Sequence, residues 1–356
     1  MHTFCGYLGI FCSAWLLLPG EIDGNKKNWE SRTRQNFTFP AMGVEFQVTY
    51  FASPERAGPI QERIRQRVEQ IEQVFSDYRT TSEVSRLGQS TPHDKPQAVS
   101  PDLWKLSCIS REISRRTEGA FDVTVGNLSH VWRMARKRNR LPAPKKISAA
   151  LEQTGYHDVT LHANRSLRLG KRGMRLDFGG IAKGYAADEV LRLLGQMGIC
   201  SALVDAGGDI AVSEAPPGQS GWQIRLVEPS GQAGATTAIT LQLANAAVAT
   251  SGDLNQFLLL DGRRYSHIID PRTGQATTHI SQVTVTAPTA TLADAYASAI
   301  SVIGARGGLA LINELCQTEC LIWERGSEPD LPLERFVSQR WQQTGTGQEK
   351  GAASDQ

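Results

Sequence analysis

The chain has 356 residues, 40% of them hydrophobic and 21% charged, which is typical of a globular protein with a sizeable core. The formal net charge is only +2, which excludes a strongly basic protein of the nucleic-acid-binding kind, so we predict no nucleic-acid partner. The six cysteines include no CxxC pair of the kind that binds a metal. Free thiols are the simplest interpretation, although Cys316 and Cys320 leave a disulfide open.

The first twenty residues contain an apolar segment from Phe4 to Leu18, about as long as the core of a signal peptide and short for a membrane-spanning helix. This segment predicts an export signal or a membrane anchor within residues 1–20, and hence a location on the periplasmic side of the cytoplasmic membrane. A wrongly assigned start is the alternative. Composition predicts a polar linker over residues 21–35, one folded domain over residues 36–340 and a polar, disordered tail over residues 341–356.

Four helices are predicted from apolar residues at helical spacing. Two of them end at a glycine, Gly198 and Gly304, which is a common helix stop. In chain order, the four helices are indicated by the apolar run Ile60, Ile64, Val68, Ile71 and Val74, by the cap Ser100-Pro101, and by the segments Ile181–Met197 and Leu292–Ile303.

Strands are predicted where apolar and polar residues alternate or where a short apolar run is bounded by turns. These segments do not alternate strictly with the helices, so the order of elements predicts an α+β fold rather than a doubly wound sheet. The predicted strands are Ser201–Ala206, Trp222–Val227, Ala238–Leu243, Gln282–Ala287 and Cys320–Trp323.

The stretch RLDFGGIAKGYAADEV, Arg175–Val190, predicts a strand-like MRLDF segment, a glycine turn and a helix start. Free N–H groups at a helix start are suited to a phosphate. Lys183 would lie in the first turn, where a cation is disfavoured unless an anion is bound. Asp177 would accept a hydrogen bond from a ribose or a flavin ring; the alternative is that it only caps the turn.

Two further stretches combine small and polar residues at turns. They are LVDAGGDIAV, Leu203–Val212, and VATSGDLNQF, Val248–Phe257. Either turn would let the backbone approach a ligand, but an ordinary tight turn or a β-bulge explains each of them as well.

The helix TLADAYASAISVIG carries Asp294 and Ser298 four residues apart, on one face. Two oxygen ligands on one face, joined by a backbone carbonyl from elsewhere, suit Mg²⁺. The alternative is a capping pair formed by Thr291 and Asp294 at the start of the helix.

The stretch TEGAFDVTVG, Thr117–Gly126, places an aromatic residue beside a carboxylate just past a helix, which suits a planar ring ligand or a simple helix stop. The segment Arg133–Lys146 has seven basic residues and no acidic one. It predicts a solvated loop, or else a flap that attracts an anionic ligand or an anionic membrane surface.

The loop RRYSHIIDPRTG, Arg263–Gly274, contains the turn residues Asp, Pro, Thr and Gly. His267 is not required for a turn. An imidazole with an ordinary pKa of about 6.5 exchanges protons near neutral pH, so His267 is a candidate general base.

Taken in order, PAMGVEF, FSDYRTTSEVSRL, GAFDVTVG, LDFGGIAKGYAAD, VDAGGDI, TSGD, YSHIIDPRTG and ADAYAS resemble the ApbE family of FAD:protein FMN transferases, from about Phe39 to Gly304. The resemblance implies a Mg²⁺-dependent enzyme that cleaves FAD at its pyrophosphate. It would attach FMN through a phosphoester bond to a Thr or Ser of an acceptor flavoprotein and release AMP. The implied fold is a single two-lobed domain of mixed sheets packed with helices, with the FAD site in the cleft between the lobes.

The resemblance also assigns roles to residues, motif by motif. His267 would be the catalytic base, or alternatively a positioning residue, and Gly180 through its carbonyl, Asp294 and Ser298 would hold the metal. The FAD-binding residues would be Met42, Tyr78, Ala120, Phe121, Asp122, Asp177, Lys183 and Ile268.

The chain departs from the family pattern at Leu254, where an aromatic residue is common, and in the basic stretch that follows Trp132. Two other functions remain open on the sequence. One is an FAD pyrophosphatase that yields FMN and AMP, and the other is a non-catalytic, exported FAD-binding protein.

Overall fold

The computed structural model describes residues 32–229, 238–252, 257–260, 262–325, 333–341 and 345–348. Within these residues, no helix is both long enough and apolar enough to cross a membrane. The α-helices are α1 (Pro54–Phe75), α2 (Glu83–Gln89), α3 (Pro101–Arg116), α4 (Gly126–Lys137), α5 (Pro144–Glu152), α6 (Ala182–Gln196), α7 (Ala290–Ile303) and α8 (Ala305–Asn313).

The strands are β1 (Thr33–Ala41), β2 (Val44–Ala52), β3 (Gln97–Ala98), β4 (Val159–His162), β5 (Ser166–Leu169), β6 (Ala202–Ala206), β7 (Asp209–Val212), β8 (Trp222–Val227), β9 (Ala238–Leu243), β10 (Ala246–Gly252), β11 (Phe257–Leu260), β12 (Arg263–Ser266), β13 (Ile280–Ala287), β14 (Glu319–Arg325), β15 (Glu334–Val337) and β16 (Gly345–Gln348).

An eight-stranded sheet in the order β1-β2-β6-β7-β10-β13-β14-β15 lies at the centre of the fold. Neighbouring strands in this sheet are antiparallel. Alternate residues of β2, such as Phe46, Val48 and Tyr50, point into the main core, where they meet the apolar faces of α1, α6 and α7. This sheet and its helices form the larger lobe.

Two smaller apolar clusters extend the core. One lies between the central sheet and the three-stranded sheet β16-β9-β8, and it contains Trp222 and Trp341. The other joins α4, α5 and the hairpin β11–β12 into a smaller lobe. Helices and antiparallel sheets that are segregated in this way confirm the predicted α+β class.

Helices α6 and α7 pack with almost no space between their backbones. A Cβ atom at Gly184 would overlap the carbonyl group of Ala290 and lie 2.9 Å from the backbone nitrogen of Thr291. The Asp188 carboxylate on α6 accepts the N–H groups of Ala290 and Thr291, both at 2.9 Å. Asp188 of α6 thereby accepts hydrogen bonds from two of the backbone N–H groups that are left free at the start of α7.

The four predicted helices are confirmed as α1, α3, α6 and α7, and Ser100 caps α3 by accepting the Leu103 N–H at 3.2 Å. The predicted strands are confirmed as well. The proposed Thr291–Asp294 cap is wrong, because Thr289 caps α7. Cys316 and Cys320 are both free, the first exposed and the second buried.

Three other expectations change. MRLDF is not a strand, since only Arg175 forms a bridge, to Val125. The basic stretch is not one loop, because its first five residues end α4. The described secondary structure also extends beyond both predicted domain limits: β1 begins at Thr33, Trp341 is buried, and β16 pairs with β9. The predicted signal or anchor lies outside the described residues.

The α6–α7 contact gives a paired prediction. Gly184→Ala should destabilise the protein by about 3 kcal/mol or more, because the methyl group meets backbone atoms that cannot move independently. Gly195→Ala, in the same helix with open space around the site, should instead stabilise by about 0.5–1 kcal/mol. Urea unfolding of both variants checks this. Equal effects at the two positions would contradict the close packing.

Candidate active site

A cleft of about 510 Å³ lies between the two lobes. The smaller-lobe side includes α4 and the loop that begins at His267, and the larger-lobe side includes the start of α6, the end of β10 and α7. Eleven of the twelve site residues predicted from the sequence line this cleft: Tyr78, Ala120, Phe121, Asp122, Asp177, Gly180, Lys183, His267, Ile268, Asp294 and Ser298.

Met42 is the predicted site residue that does not line the cleft. It lies in the turn between β1 and β2 with a positive φ of 50°. Its neighbour Val44 does reach the cleft, and a Cβ atom at Gly207 would come within 2.7 Å of Val44. The β1–β2 turn therefore borders the cleft through Val44 rather than through Met42.

The three predicted metal ligands meet in one corner of the cleft. The Ser298 hydroxyl lies 3.4 Å from the carbonyl oxygen of Gly180. Asp294, one turn earlier on α7, accepts the N–H of Gly184 at 3.3 Å. A Cβ atom at Gly180 would lie 2.8 Å from the Ser298 hydroxyl, so this approach requires a glycine. The corner is lined by oxygen atoms from α7 and from the turn before α6.

An ion pair with a buried carboxylate closes this corner. The Lys183 ammonium group donates to the carboxylate of Asp209, which is 2% exposed, at the start of β7. Burial lowers the pKa of Lys183, but the Asp294 and Asp209 carboxylates outweigh it and raise the pKa above its ordinary value. The anion expected beside Lys183 is thus supplied by the protein itself.

Asp209 was not among the predicted site residues. Burial raises its pKa, and the neighbouring Asp294 raises it further. Burial also raises the pKa of Asp294. Two buried acidic groups therefore face one partly exposed lysine. Asp209 belongs to the GGD turn of the sequence. That turn was interpreted as a place where the backbone approaches a ligand, and the carboxylate of Asp209 was not considered.

Asp122 organises the loop that follows α3. Its carboxylate accepts the Thr124 N–H at 2.8 Å and hydroxyl at 2.7 Å, and the Tyr156 N–H at 2.8 Å. Burial raises the pKa of Asp122 in spite of these hydrogen bonds. Phe121, beside it, is buried and donates its N–H to the Thr117 hydroxyl at 3.1 Å. The loop is therefore held in place by groups of the protein itself.

Tyr78 stands at the open edge of the cleft, 74% exposed. The Arg133 guanidinium lies 4.2 Å from the centre of its ring and donates to Asp77 at 2.7 Å. Burial and the nearby Asp177 raise the pKa of Asp77, against the effect of Arg133. Asp177 accepts the N–H of Gly179 at 2.8 Å, as a turn cap would. Arg133 and Asp77 were not predicted as site residues.

The loop that carries His267 is a hairpin fixed by its own backbone. The N–H of Ser266 donates to Thr277 at 2.9 Å, and the N–H of Asp270 donates to Gln275 at 2.8 Å. Asp270 also accepts two bonds from the Arg272 guanidinium, each 2.9 Å. These contacts support the interpretation that the turn residues shape the loop, leaving His267 half-buried at the cleft.

The same loop is attached to α4. The indole N–H of Trp132 donates to the carbonyl of Gly274 at 2.9 Å, and the rings of Trp132 and Tyr265 stack at 5.9 Å. Gly274 has a positive φ of 71°, which a glycine adopts without strain. The cleft therefore combines a fixed histidine, an exposed aromatic ring and an oxygen-lined corner, which suits proton transfer beside a hard cation.

Comparisons with known proteins match most of the chain. A FAD:protein FMN transferase of Salmonella typhimurium is 29% identical over 309 residues, 85% of this chain and 87% of that protein. The protein of the same name from Treponema pallidum is 32% identical over 269 residues, 71% and 74% of the two chains. The solved structure of the flavin transferase ApbE from Vibrio cholerae superposes with a TM-score of 0.79 at 28% identity, covering 88% of this chain and 99% of that one.

The family model described as ApbE family matches residues 42–322, most of the chain. The matched region includes both walls of the cleft, from the β1–β2 turn to β14. The chain therefore belongs to the ApbE family.

Proposed function

We propose that this protein is a FAD:protein FMN transferase, which cleaves FAD and attaches FMN to a Thr or Ser of an acceptor flavoprotein. The observation that carries the proposal is the convergence of His267 with the oxygen-lined corner of Gly180, Asp294 and Ser298 in one cleft. The activity named for the relatives from Salmonella and Treponema supports the same conclusion.

In the proposed reaction, the acceptor hydroxyl oxygen attacks the phosphorus atom of the FMN half. The phosphoanhydride bond to the AMP half breaks, AMP leaves, and a phosphoester bond to the acceptor forms. A threonine or serine hydroxyl is a weak nucleophile at neutral pH, so His267 accepts its proton. Asp270 and Arg272 keep the loop in place and take no part in proton transfer.

The donors present in the corner fit Mg²⁺. A carbonyl, a carboxylate and a hydroxyl from Gly180, Asp294 and Ser298 are the oxygen ligands that this ion prefers. The raised pKa values of Asp209 and Asp294 are consistent with the fit, because a dication would favour their charged forms. When bound, Mg²⁺ would offset the negative charge of the pyrophosphate. Lys183, held by Asp209, adds fixed positive charge beside the same corner.

The decisive experiment is mass spectrometry of a reaction that contains the protein, FAD and Mg²⁺, with and without an acceptor domain. Release of AMP together with an FMN-sized mass gain on the acceptor supports the transferase. Free FMN and AMP without an adduct would support an FAD pyrophosphatase instead. FAD that stays bound and intact would indicate a flavin-binding protein.

Replacement of His267 tests the base. His267→Ala should retain FAD binding and lower the rate of FMN transfer by about 100- to 10,000-fold, because it removes the proton acceptor. Fluorescence titration measures binding, and AMP release measures the rate. His130→Ala, which removes an exposed histidine on α4 outside the cleft, is the control and should retain full activity. If the His267 variant transfers FMN at the wild-type rate, His267 is not the general base.

Replacement of Asp294 tests whether the oxygen-lined corner binds Mg²⁺. Asp294→Asn preserves the shape of the side chain and removes its charge, so the Mg²⁺ concentration at half-maximal rate should rise by roughly 10- to 100-fold. Asp188→Asn makes the same change where the carboxylate only holds the start of α7. It should lower thermal stability and leave the Mg²⁺ midpoint unchanged. Identical Mg²⁺ curves for wild type and the Asp294 variant would contradict the proposed role.

We further propose that the protein acts on exported acceptors at the periplasmic side of the cytoplasmic membrane. The support is the apolar segment Phe4–Leu18. Fractionation of cells that produce the full chain, followed by N-terminal sequencing, tests this. Recovery of the uncleaved protein from the cytoplasm would contradict it.

A further inference from the structure

The cleft has a basic wall that the proposed reaction leaves unused. Arg133 and Arg136 on α4 both line the cleft, three residues apart on one helix face. The residues just before them, Trp132 and Ala135, are buried in the core of the smaller lobe. Helix α4 is therefore amphipathic, but its arginine face looks onto the cleft rather than only onto solvent.

The charge of Arg133 is already compensated. Its guanidinium lies 2.7 Å from a carboxylate oxygen of Asp77 and 4.0 Å from one of Asp177, and it covers the Tyr78 ring. Arg133 is thus committed to holding Tyr78 at the edge of the cleft. It does not need a ligand for its own hydrogen bonds.

Arg136 differs from its neighbour. Its Nη1 atom is buried and has no hydrogen-bond partner within the described part of the chain. Among the buried side-chain nitrogen and oxygen atoms there that lack a partner, it is the one whose residue lines the cleft. Burial and the adjacent Arg133 lower the pKa of Arg136, yet a guanidinium stays protonated in proteins. A buried cationic donor without an acceptor is unfavourable, and an anion would relieve it.

We propose that Arg136 binds a phosphate group of a nucleotide in the cleft. The inference rests on the proposed function, because the two phosphates are the anionic groups of FAD. A guanidinium is suited to phosphate, since its planar fork donates two parallel hydrogen bonds. The carboxylate Asp209, on the opposite side of the cleft, is already paired with Lys183. The phosphate comes either from the FMN half or from the AMP half, and binding measurements separate these sources.

The test compares wild type with Arg136→Met in EDTA, where the proposed Mg²⁺-dependent turnover is suppressed. FAD, FMN and riboflavin are titrated by flavin fluorescence, and AMP is titrated by calorimetry. Loss of a charge-assisted hydrogen bond should weaken FAD binding by about tenfold or more, while riboflavin binding stays unchanged. A loss for FMN assigns the phosphate of the flavin half, and a loss for AMP assigns the other. Equal weakening for riboflavin and FAD would overturn the inference, as would unchanged FAD binding.

Two controls separate a specific effect of the Arg136 charge on binding from a general effect on folding. Arg138→Met removes an exposed arginine next to the end of α4 and should bind every ligand as wild type does. Without ligand, Arg136→Met should melt no lower than wild type, because the arginine lacks a partner for Nη1. A large drop in melting temperature would instead assign Arg136 a structural role and overturn the proposal.

The outcomes also distinguish this inference from the function on which it rests. If wild type binds neither FAD nor FMN, the proposed function itself fails. If wild type binds FAD and the variant binds it equally well, only the role of Arg136 fails. A defect confined to the KM for the acceptor protein would show that Arg136 contacts the acceptor, and would equally overturn the phosphate assignment.

Discussion

The close packing of α6 on α7 at Gly184 is the constraint on which the candidate site depends. Because no Cβ intervenes there, the first turn of α6 comes against the first turns of α7. Asp188 adds hydrogen bonds to the first N–H groups of α7. The same close packing brings Gly180 to Ser298. The oxygen-lined corner is thus a consequence of helix packing, and a larger side chain at Gly184 would separate its two halves.

The same packing places acidic groups close together in a buried position, which disfavours their charged forms. Asp209 and Asp294 are buried next to each other, and a single lysine, Lys183, compensates them. Across the cleft, the half-buried Arg136 has a buried donor, Nη1, that lacks a partner within the described residues. The protein groups of the cleft therefore place excess negative charge on one wall and excess positive charge on the other. A metal dication on the first wall and a phosphate on the second would remove both penalties together.

Local periodicity was enough to predict the elements that build the site. Asp294 and Ser298 share a face of α7 because they are four residues apart, and that follows from the sequence alone. The pairing of Lys183 with Asp209 does not follow, because 26 residues and a strand separate them and only the packing of β7 on α6 joins them. The environment of Arg136 could not be predicted either. The sequence shows that the residue is charged, but the burial of its Nη1 atom depends on tertiary contacts.

The exposure of the cleft residues bears on how the chain would choose a protein hydroxyl over water. Asp209 and Asp294 are almost fully buried, whereas His267 is half-buried and Tyr78 is 74% exposed. The charged corner is therefore closed, and His267 and the aromatic ring are at the open edge, where an acceptor protein can approach. Water reaches the same edge. Since the described residues leave that side open, we expect the acceptor to exclude water when it covers His267, so the ratio of transfer to hydrolysis should depend on how tightly the acceptor docks.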